Sequence, residues 1–316
     1  MGKTTPVSDD VAVIICVSIE YCAQIETVAF EGTAAAVDSA RPEARRAGEE
    51  NFPVALRLLP SSRRRHLMAV YGFARTADDI GDQAPPEQRQ RLLDELETDL
   101  RCLYAGRGDR TAAQSQVVRA LEPAVADCGL PVQPFLDLIQ ANRQDQIVTR
   151  YQTFEDLLGY CRLSANPVGR IVLHVFGSFT PARAALSDSV CTALQLAEHW
   201  QDVAEDSRAG RIYLPASDMQ AFGVTEADLA LPAAPPQVRA LVGFETARAR
   251  LLLDTGAPLI STLRGAARAA VAGYVAGGRA ALAAITASGN DVLAATRRPG
   301  KRRLAAELML AYTRGR

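Results

Sequence analysis

The sequence predicts an all-α protein. Apolar residues recur at helical spacing through most of the chain, and strand-like alternation is nearly absent after residue 45. Prolines, glycines and capping residues bracket the periodic runs. A chain of 316 residues that is 48% hydrophobic can bury a substantial core, and it suits one large domain or two ordinary ones. The net charge of −1 gives no bulk attraction to nucleic acid, and no nucleic-acid partner is expected.

The first 45 residues match nothing downstream in character. They are expected to form a poorly ordered extension to a single working domain over residues 46–316. Their apolar run "VAVIICVSI" is too short for a bilayer, which takes about 20 residues. It also follows Asp9 and Asp10, the wrong charge for a signal peptide. "MGKTT" mimics the end of a phosphate loop but lacks the upstream glycine, and no GxGxxG occurs. The six cysteines (Cys16, Cys22, Cys102, Cys128, Cys161, Cys191) form no CxxC and read as reduced thiols of a cytosolic protein.

The helices follow in order. "SSRRRH" at 61–66 reads as a solvated helix start. "PPEQRQRLLDELETDLRCLYAG" opens on proline, carries Leu92, Leu93, Leu96, Leu100 and Leu103 as a stripe, and closes at Gly106. In "TFEDLLGYC", Thr153 and Asp156 have capping-box spacing. Residues 184–206 form one long periodic segment. The prolines of 229–238 mark a loop. "ALVGFETARARLLLDTGAPLI" and "RAAVAGYVAGGRAALAAITASG" read as amphipathic, alanine-rich helices.

Two acidic clusters stand out. In "RTADDIGD", Asp78 and Asp82 share a helix face, with Asp79 beside them. Arg75 lies four residues before Asp79, and Tyr71 four before Arg75. In "EHWQDVAED", Glu198, Asp202 and Asp206 form an unbroken ladder, with Gln195 one turn earlier. A solvated face is the ordinary explanation of one acidic pair. Here the flanking residues are apolar, so both helices are expected to be buried on most sides, and buried carboxylates need counter-charge.

Mg²⁺ answers that need. It takes oxygen ligands, keeps several waters and binds through a few carboxylates plus substrate phosphates. Two facing acidic helices would hold Mg²⁺ ions between them, the ions would grip a diphosphate, and Arg75 would clamp it further. Zinc is disfavoured, because His66, His174 and His199 show no zinc-site spacing.

"YGFARTADDIGD", "RYQTFEDLLGYC", "SANPVGR", "QLAEHWQDVAED" and "GRIYLPASDMQAFGV" together resemble, in order, the motifs of the squalene and phytoene synthase family. The resemblance runs from about residue 50 to about residue 310. It implies the isoprenoid synthase fold, all-α, with two aspartate-rich helices facing across a central cavity. It implies that Asp78, Asp79 and Asp82 form the first Mg²⁺-diphosphate motif, and that Glu198, Asp202 and Asp206 stand in the second. Tyr71, Arg75 and Gln195 look like the nearby diphosphate and substrate contacts. Tyr160, Ser164, Asn166, Val168, Gly169, Arg211 and Tyr213 stand in the other motifs as expected substrate contacts.

Within that family, "ENFPVALRLLP", "RQD" at 143–145, "SANPVGR" and "WQDV" look like the bacterial hydroxysqualene synthases of hopanoid pathways. Such enzymes ionise presqualene diphosphate and capture the rearranged cation with water, without NADPH. Other branches often have arginine where Gln201 stands. The nearest alternative is a head-to-head prenyl transferase that joins two farnesyl or geranylgeranyl diphosphates. A non-catalytic helical relative, acting in assembly, is the rival of another class; such proteins typically lose the aspartates. Glu198 departs from the family's usual asparagine and puts the geometry of the third metal in question.

Three smaller signals remain. Pro167 predicts a helix kink that places Ser164 and Asn166 where a water can be held beside the cation. Trp200 reads as core. "TRRPGKRRLAAELML" is basic and then amphipathic, which suits peripheral contact with the inner membrane and hand-over to neighbouring enzymes of a squalene pathway; the expected location is otherwise cytoplasmic.

Overall fold

The computed structural model describes residues 60–105 and 115–294, together with 311 and 313. The extension at 1–45, Gly106 and the whole basic C-terminal stretch, 296–310, lie outside the described residues.

The chain enters at α1 (Ser61–Gln83), whose buried side chains Leu67, Val70, Phe73, Ala77 and Gly81 fall on one stripe. The acids Asp78 and Asp82 stand on a neighbouring face of this anchored helix. The start of α1 is largely solvated, as the basic run predicts, except for His66; that ring is buried, with Asp127 at 3.1 Å. Helix α2 (Pro86–Tyr104) buries Leu93, Leu96 and Leu100, while Leu92 and Leu103 are only partly covered. Helices α3 (Gln116–Cys128) and α4 (Gln133–Asp145) then pack against α1.

Helix α5 (Phe154–Ser164) starts on the expected capping box: Thr153 Oγ1 accepts from Asp156 N, and Thr153 N donates to Asp156 Oδ2 at 2.9 Å. The helix is interrupted where Pro167 predicts a kink, although Ala165 itself keeps helical dihedrals, φ −87° and ψ −46°. Ala165 separates α5 from α6 (Asn166–Val175), and Pro167 sits in the first turn of α6, where its missing N–H costs nothing.

The long segment at 184–206 also breaks. Helix α7 (Pro181–Gln201) stops at Asp202, which lies at φ −102°, ψ 12°, and the short α8 (Val203–Arg208) follows. The ladder is therefore not one helix. Its spacing survives, because Asp202 N donates to Glu198 O and Asp206 N to Asp202 O. Trp200 is fully buried, as expected of a core residue.

Helices α9 (Ala216–Ala221) and α10 (Glu226–Leu229) lead into a proline loop that is shorter than expected, because Leu229 still closes α10 and Pro236 already opens α11 (Pro236–Gly256). After α12 (Leu259–Thr262) comes α13 (Gly265–Ala287). It is not amphipathic: Ala270, Val271, Ala272, Val275, Ala276 and Ala280 bury every side of it. Its length and apolar character would suit a membrane span, but 72% of its most apolar window is buried inside this fold. It is the core helix, packed with α11 against α7. Among the described residues β-structure is confined to one bridge, Arg150 to Ile212.

One buried cluster outside the cavity yields a pH prediction. Arg248 Nη1 lies 2.6 Å from Asp218 and 3.2 Å from Glu245, a fully buried carboxyl. Burial, then Asp218 beside it, pushes Glu245 up to about 8. A raised folded pKa means stability present at low pH and lost as pH rises through that value. The melting midpoint should therefore fall by several degrees between pH 5 and pH 9. Glu245→Gln, followed by differential scanning fluorimetry across that range, should fall measurably less.

Candidate active site

The helices enclose a cavity of about 330 Å³, within the range of small-molecule sites. Its lining is graded along two helices. On α1 it runs from Leu67 and Val70 through Tyr71 and Arg75 to Asp78 and Asp82. On α7 it runs from Ser187 and Cys191 through Gln195 to Glu198 and Asp202. Each run covers sixteen residues, about 22 Å at helical rise. Both go from apolar to acidic in chain order, so the cavity has an acidic end and a deep, apolar end. Val172, Leu173, Leu259 and Val271 belong to the apolar part of the wall.

The acids face one another across the cavity. Asp82 Oδ1 pairs with Arg211 Nη2 at 3.2 Å, joining the end of α1 to the loop after α8. Asn142 on α4 donates to Asp78 Oδ1 at 2.9 Å. Gly81 makes that contact possible, since a Cβ there would lie 2.3 Å from Asn142 Oδ1. A carboxylate that sequence reading did not place in the site, Asp145 at the end of α4, completes the group and accepts from the Tyr160 hydroxyl at 2.8 Å.

Burial dominates the electrostatics of these groups. It pushes Asp78 up to about 8, with Asp82, Asp145 and Asp79 adding repulsion against the relief given by Asn142. It pushes Asp206 to about 7, with Asp202 next, and Asp145 to about 6 despite the Tyr160 hydrogen bond. Asp202 rises to about 6 through burial and Glu205, and Glu198 rises well above its ordinary value through burial and Asp202. Asp78 has water-accessible atoms only because the cavity opens on it; protein surrounds it otherwise. These carboxylates carry more charge than the cations beside them offset. An all-oxygen donor set with that deficit fits a hard divalent cation. Among the described residues no three acidic, His or Cys side chains converge closely enough to cage a metal alone.

Two expected site residues fall elsewhere. Asp79 does not line the cavity. It lies about 100° around the helix from Asp78, paired with Arg75 Nε at 2.9 Å and accepting from Gln83. Asn166 is also absent from the wall: it is buried, accepting from Thr192 Oγ1 at 2.9 Å. Gln201 is buried and likewise not in the wall. The others, Tyr71, Arg75, Tyr160, Ser164, Val168, Gly169, Gln195, Glu198, Asp202, Asp206, Arg211 and Tyr213, all line it. Gly169 does so because α6 presses on α7 there; a Cβ would sit 2.4 Å from Ser187 Oγ.

An aromatic cluster adjoins the acids. His199 stacks on Tyr213 with centroids 3.7 Å apart, and Tyr160 lies 6.0 Å from Tyr213. Burial lowers His199 to about 3, so its ring is neutral. Asn142, Asp145 and His199 are among the wall residues that sequence reading did not place in the site. The "RQD" run served there only as a branch marker, yet Asn142 and Asp145 have the i, i+3 spacing of a shared helix face.

Comparison with known proteins follows the same lines. The squalene/phytoene synthase family profile matches residues 45–305. A hydroxysqualene synthase of Rhodopseudomonas palustris is 38% identical over 220 residues, 68% of this chain and 72% of that protein. A chloroplastic phytoene synthase of Zea mays is 32% identical over 235 residues, 72% of this chain and 54% of that protein. The crystal structure of the squalene synthase HpnC from Alicyclobacillus acidocaldarius superimposes with a TM-score of 0.73 at 42% identity. It covers 79% of this chain and 92% of that one.

Proposed function

The chain belongs to the squalene/phytoene synthase family and has its isoprenoid synthase fold, and from that premise we propose that it is a hydroxysqualene synthase. The substrate in this reading is presqualene diphosphate, ionised with Mg²⁺ and captured by water without NADPH. One observation carries the diphosphate chemistry: a cavity whose under-compensated carboxylates stand at one end and whose apolar wall fills the other. The choice of branch is supported by three hydroxysqualene synthases, 34–38% identical to this chain.

Asp78 and Asp82 from α1, with Glu198, Asp202 and Asp206 from α7 and α8, would hold the magnesium. Once bound there, magnesium offsets the charge of the diphosphate and eases its departure. Arg75, Arg211 and Tyr71 offer donors to the diphosphate oxygens. Asp145 fixes the Tyr160 hydroxyl, and the Tyr160, Tyr213 and His199 rings present π surface where positive charge develops. Val168, Val172, Leu173 and Leu194 enclose the hydrocarbon and keep bulk water from the cation.

A second reading is a condensing prenyl transferase. It is favoured by the 42% identity to a protein described as a squalene synthase and by the similarity to phytoene synthases. The test is a product assay with Mg²⁺ and no NADPH. A C30 alcohol from presqualene diphosphate, with nothing from farnesyl diphosphate, is the expected result. Coupled product from farnesyl diphosphate alone would replace the hydroxysqualene reading with the transferase. Failure of diphosphate and Mg²⁺ together to raise the melting temperature, with no product, would point to a non-catalytic relative.

A further inference from the structure

The cavity wall carries a polar pair at the border between its acidic end and its apolar wall. Ser164 Oγ lies 2.7 Å from Gln195 Oε1 and 3.0 Å from the Tyr160 carbonyl. A hydroxyl has one hydrogen, so it donates to only one of these acceptors. If it donates to Gln195, the amide Nε2–H groups are left over. If it donates to Tyr160, the amide turns to give Nε2–H to Oγ, and Oε1 is left over. Either way Gln195 keeps polar capacity that no other described residue takes up.

The surroundings make that capacity conspicuous. Ala165, Val168 and Leu194 line the cavity beside the pair. Gln195 lies one turn before Glu198, about 4.5 Å along the helix, and seven residues before Asp202, so the pair stands where the acidic end gives way to the apolar wall. An open polar group facing an apolar cavity is costly, and a water held by two polar partners relieves that cost. Asn166, the residue the sequence favoured for this role, is occupied by Thr192 and absent from the wall.

We infer that Ser164 and Gln195 hold the water that captures the cation, and so set alcohol against hydrocarbon as product. This inference rests on the hydroxysqualene reading. The carbon–diphosphate bond breaks with its electron pair on the diphosphate. A lone pair of the held water forms the new C–O bond at the rearranged cation. The surplus proton passes to the released diphosphate, leaving a neutral alcohol. Nothing is oxidised or reduced. Without a held water the same cation gives up a carbon-bound proton to the diphosphate and becomes a polyene. Ser164 and Gln195 are positioning residues, since neither bonds to the substrate in this scheme.

The experiment uses the full chain with Mg²⁺ and presqualene diphosphate and no NADPH. It reads alcohol and hydrocarbon by mass spectrometry, each normalised to diphosphate released. Ser164→Val and Gln195→Leu should lower the alcohol share by about tenfold or more, with hydrocarbon rising in its place. Ser164→Thr, which keeps the hydroxyl, should stay near wild type. Gln195→Leu reads the same quantity from the second partner if Ser164→Val does not fold. An unchanged alcohol share in the variants of an alcohol-forming wild type overturns this inference alone. Wild-type protein that releases diphosphate without forming alcohol overturns the hydroxysqualene reading, and this inference with it.

Discussion

Asp78→Asn should lower turnover by about a thousandfold, whereas Asp79→Asn should cost less than about tenfold. The two residues are chain neighbours with the same side chain, so composition cannot separate them. Position does. Asp78 lines the cavity, is held by Asn142 and is surrounded by protein. Asp79 is partly exposed and does not line the cavity; it pairs with Gln83 and with Arg75, which does. Asparagine keeps the shape of either side chain and removes its charge. At position 78 that removes an anionic ligand from the place where cation and diphosphate would meet. At position 79 it weakens a surface ion pair, worth about 1 kcal/mol or less. The same substitution at 78 also removes a buried charge with too little compensation. Asp78→Asn should therefore melt higher than wild type in magnesium-free buffer and lose most of the gain that Mg²⁺ and diphosphate give the wild type. Steady-state kinetics and scanning fluorimetry on the two variants check all of this. Equal losses at 78 and 79 would show that the first motif acts as a whole and that the side-chain directions described above are wrong.

The contrast between these two residues also shows what the sequence could disclose. Helical periodicity placed Asp78 and Asp82 on one face, because a period of 3.6 is a local property of the backbone. It also identified the helices that carry the acids and the capping box at Thr153. It could not rank Asp79, whose direction depends on which face of α1 meets α4. It could not see the break at Asp202, which preserves local spacing, whereas Pro167 did announce the interruption at Ala165. Asn166 was misplaced because its partner is Thr192, a contact between two helices that local spacing does not report. The alanine-rich helix at the C-terminal side read as amphipathic, because composition alone does not tell how many neighbours surround a helix. Asn142 and Asp145 went unseen because their role comes from α4 lying against α1, a contact between residues more than sixty positions apart.

Gly81 is where that tertiary contact depends on a single missing atom. Gly81→Ala should cut activity by about a hundredfold and cost roughly 1–3 kcal/mol of stability. The new methyl would lie 2.3 Å from Asn142 Oδ1 and 3.2 Å from its Cγ, so the amide must move. Moving it breaks the 2.9 Å hydrogen bond to Asp78 and disturbs the one from Asn142 Nδ2 to the Leu138 carbonyl. Asp78 then loses the one neighbour that favours its charged form against the burial and the like charges that oppose it. Gly72→Ala is the control on the same helix. Its methyl would meet only Val117 Cγ2, at 3.7 Å, an ordinary contact. It should leave activity intact and raise stability by up to about 1 kcal/mol through helix propensity. Asn142→Ala completes a cycle with Gly81→Ala. Each single change should destabilise or inactivate, but the double variant has no amide left to clash with. Its stability loss should fall short of the sum of the single losses by roughly 1 kcal/mol or more. Additive losses would mean that Gly81 matters through the backbone of α1 alone, and that the route from Gly81 through Asn142 to Asp78 is not how the first acidic helix is set.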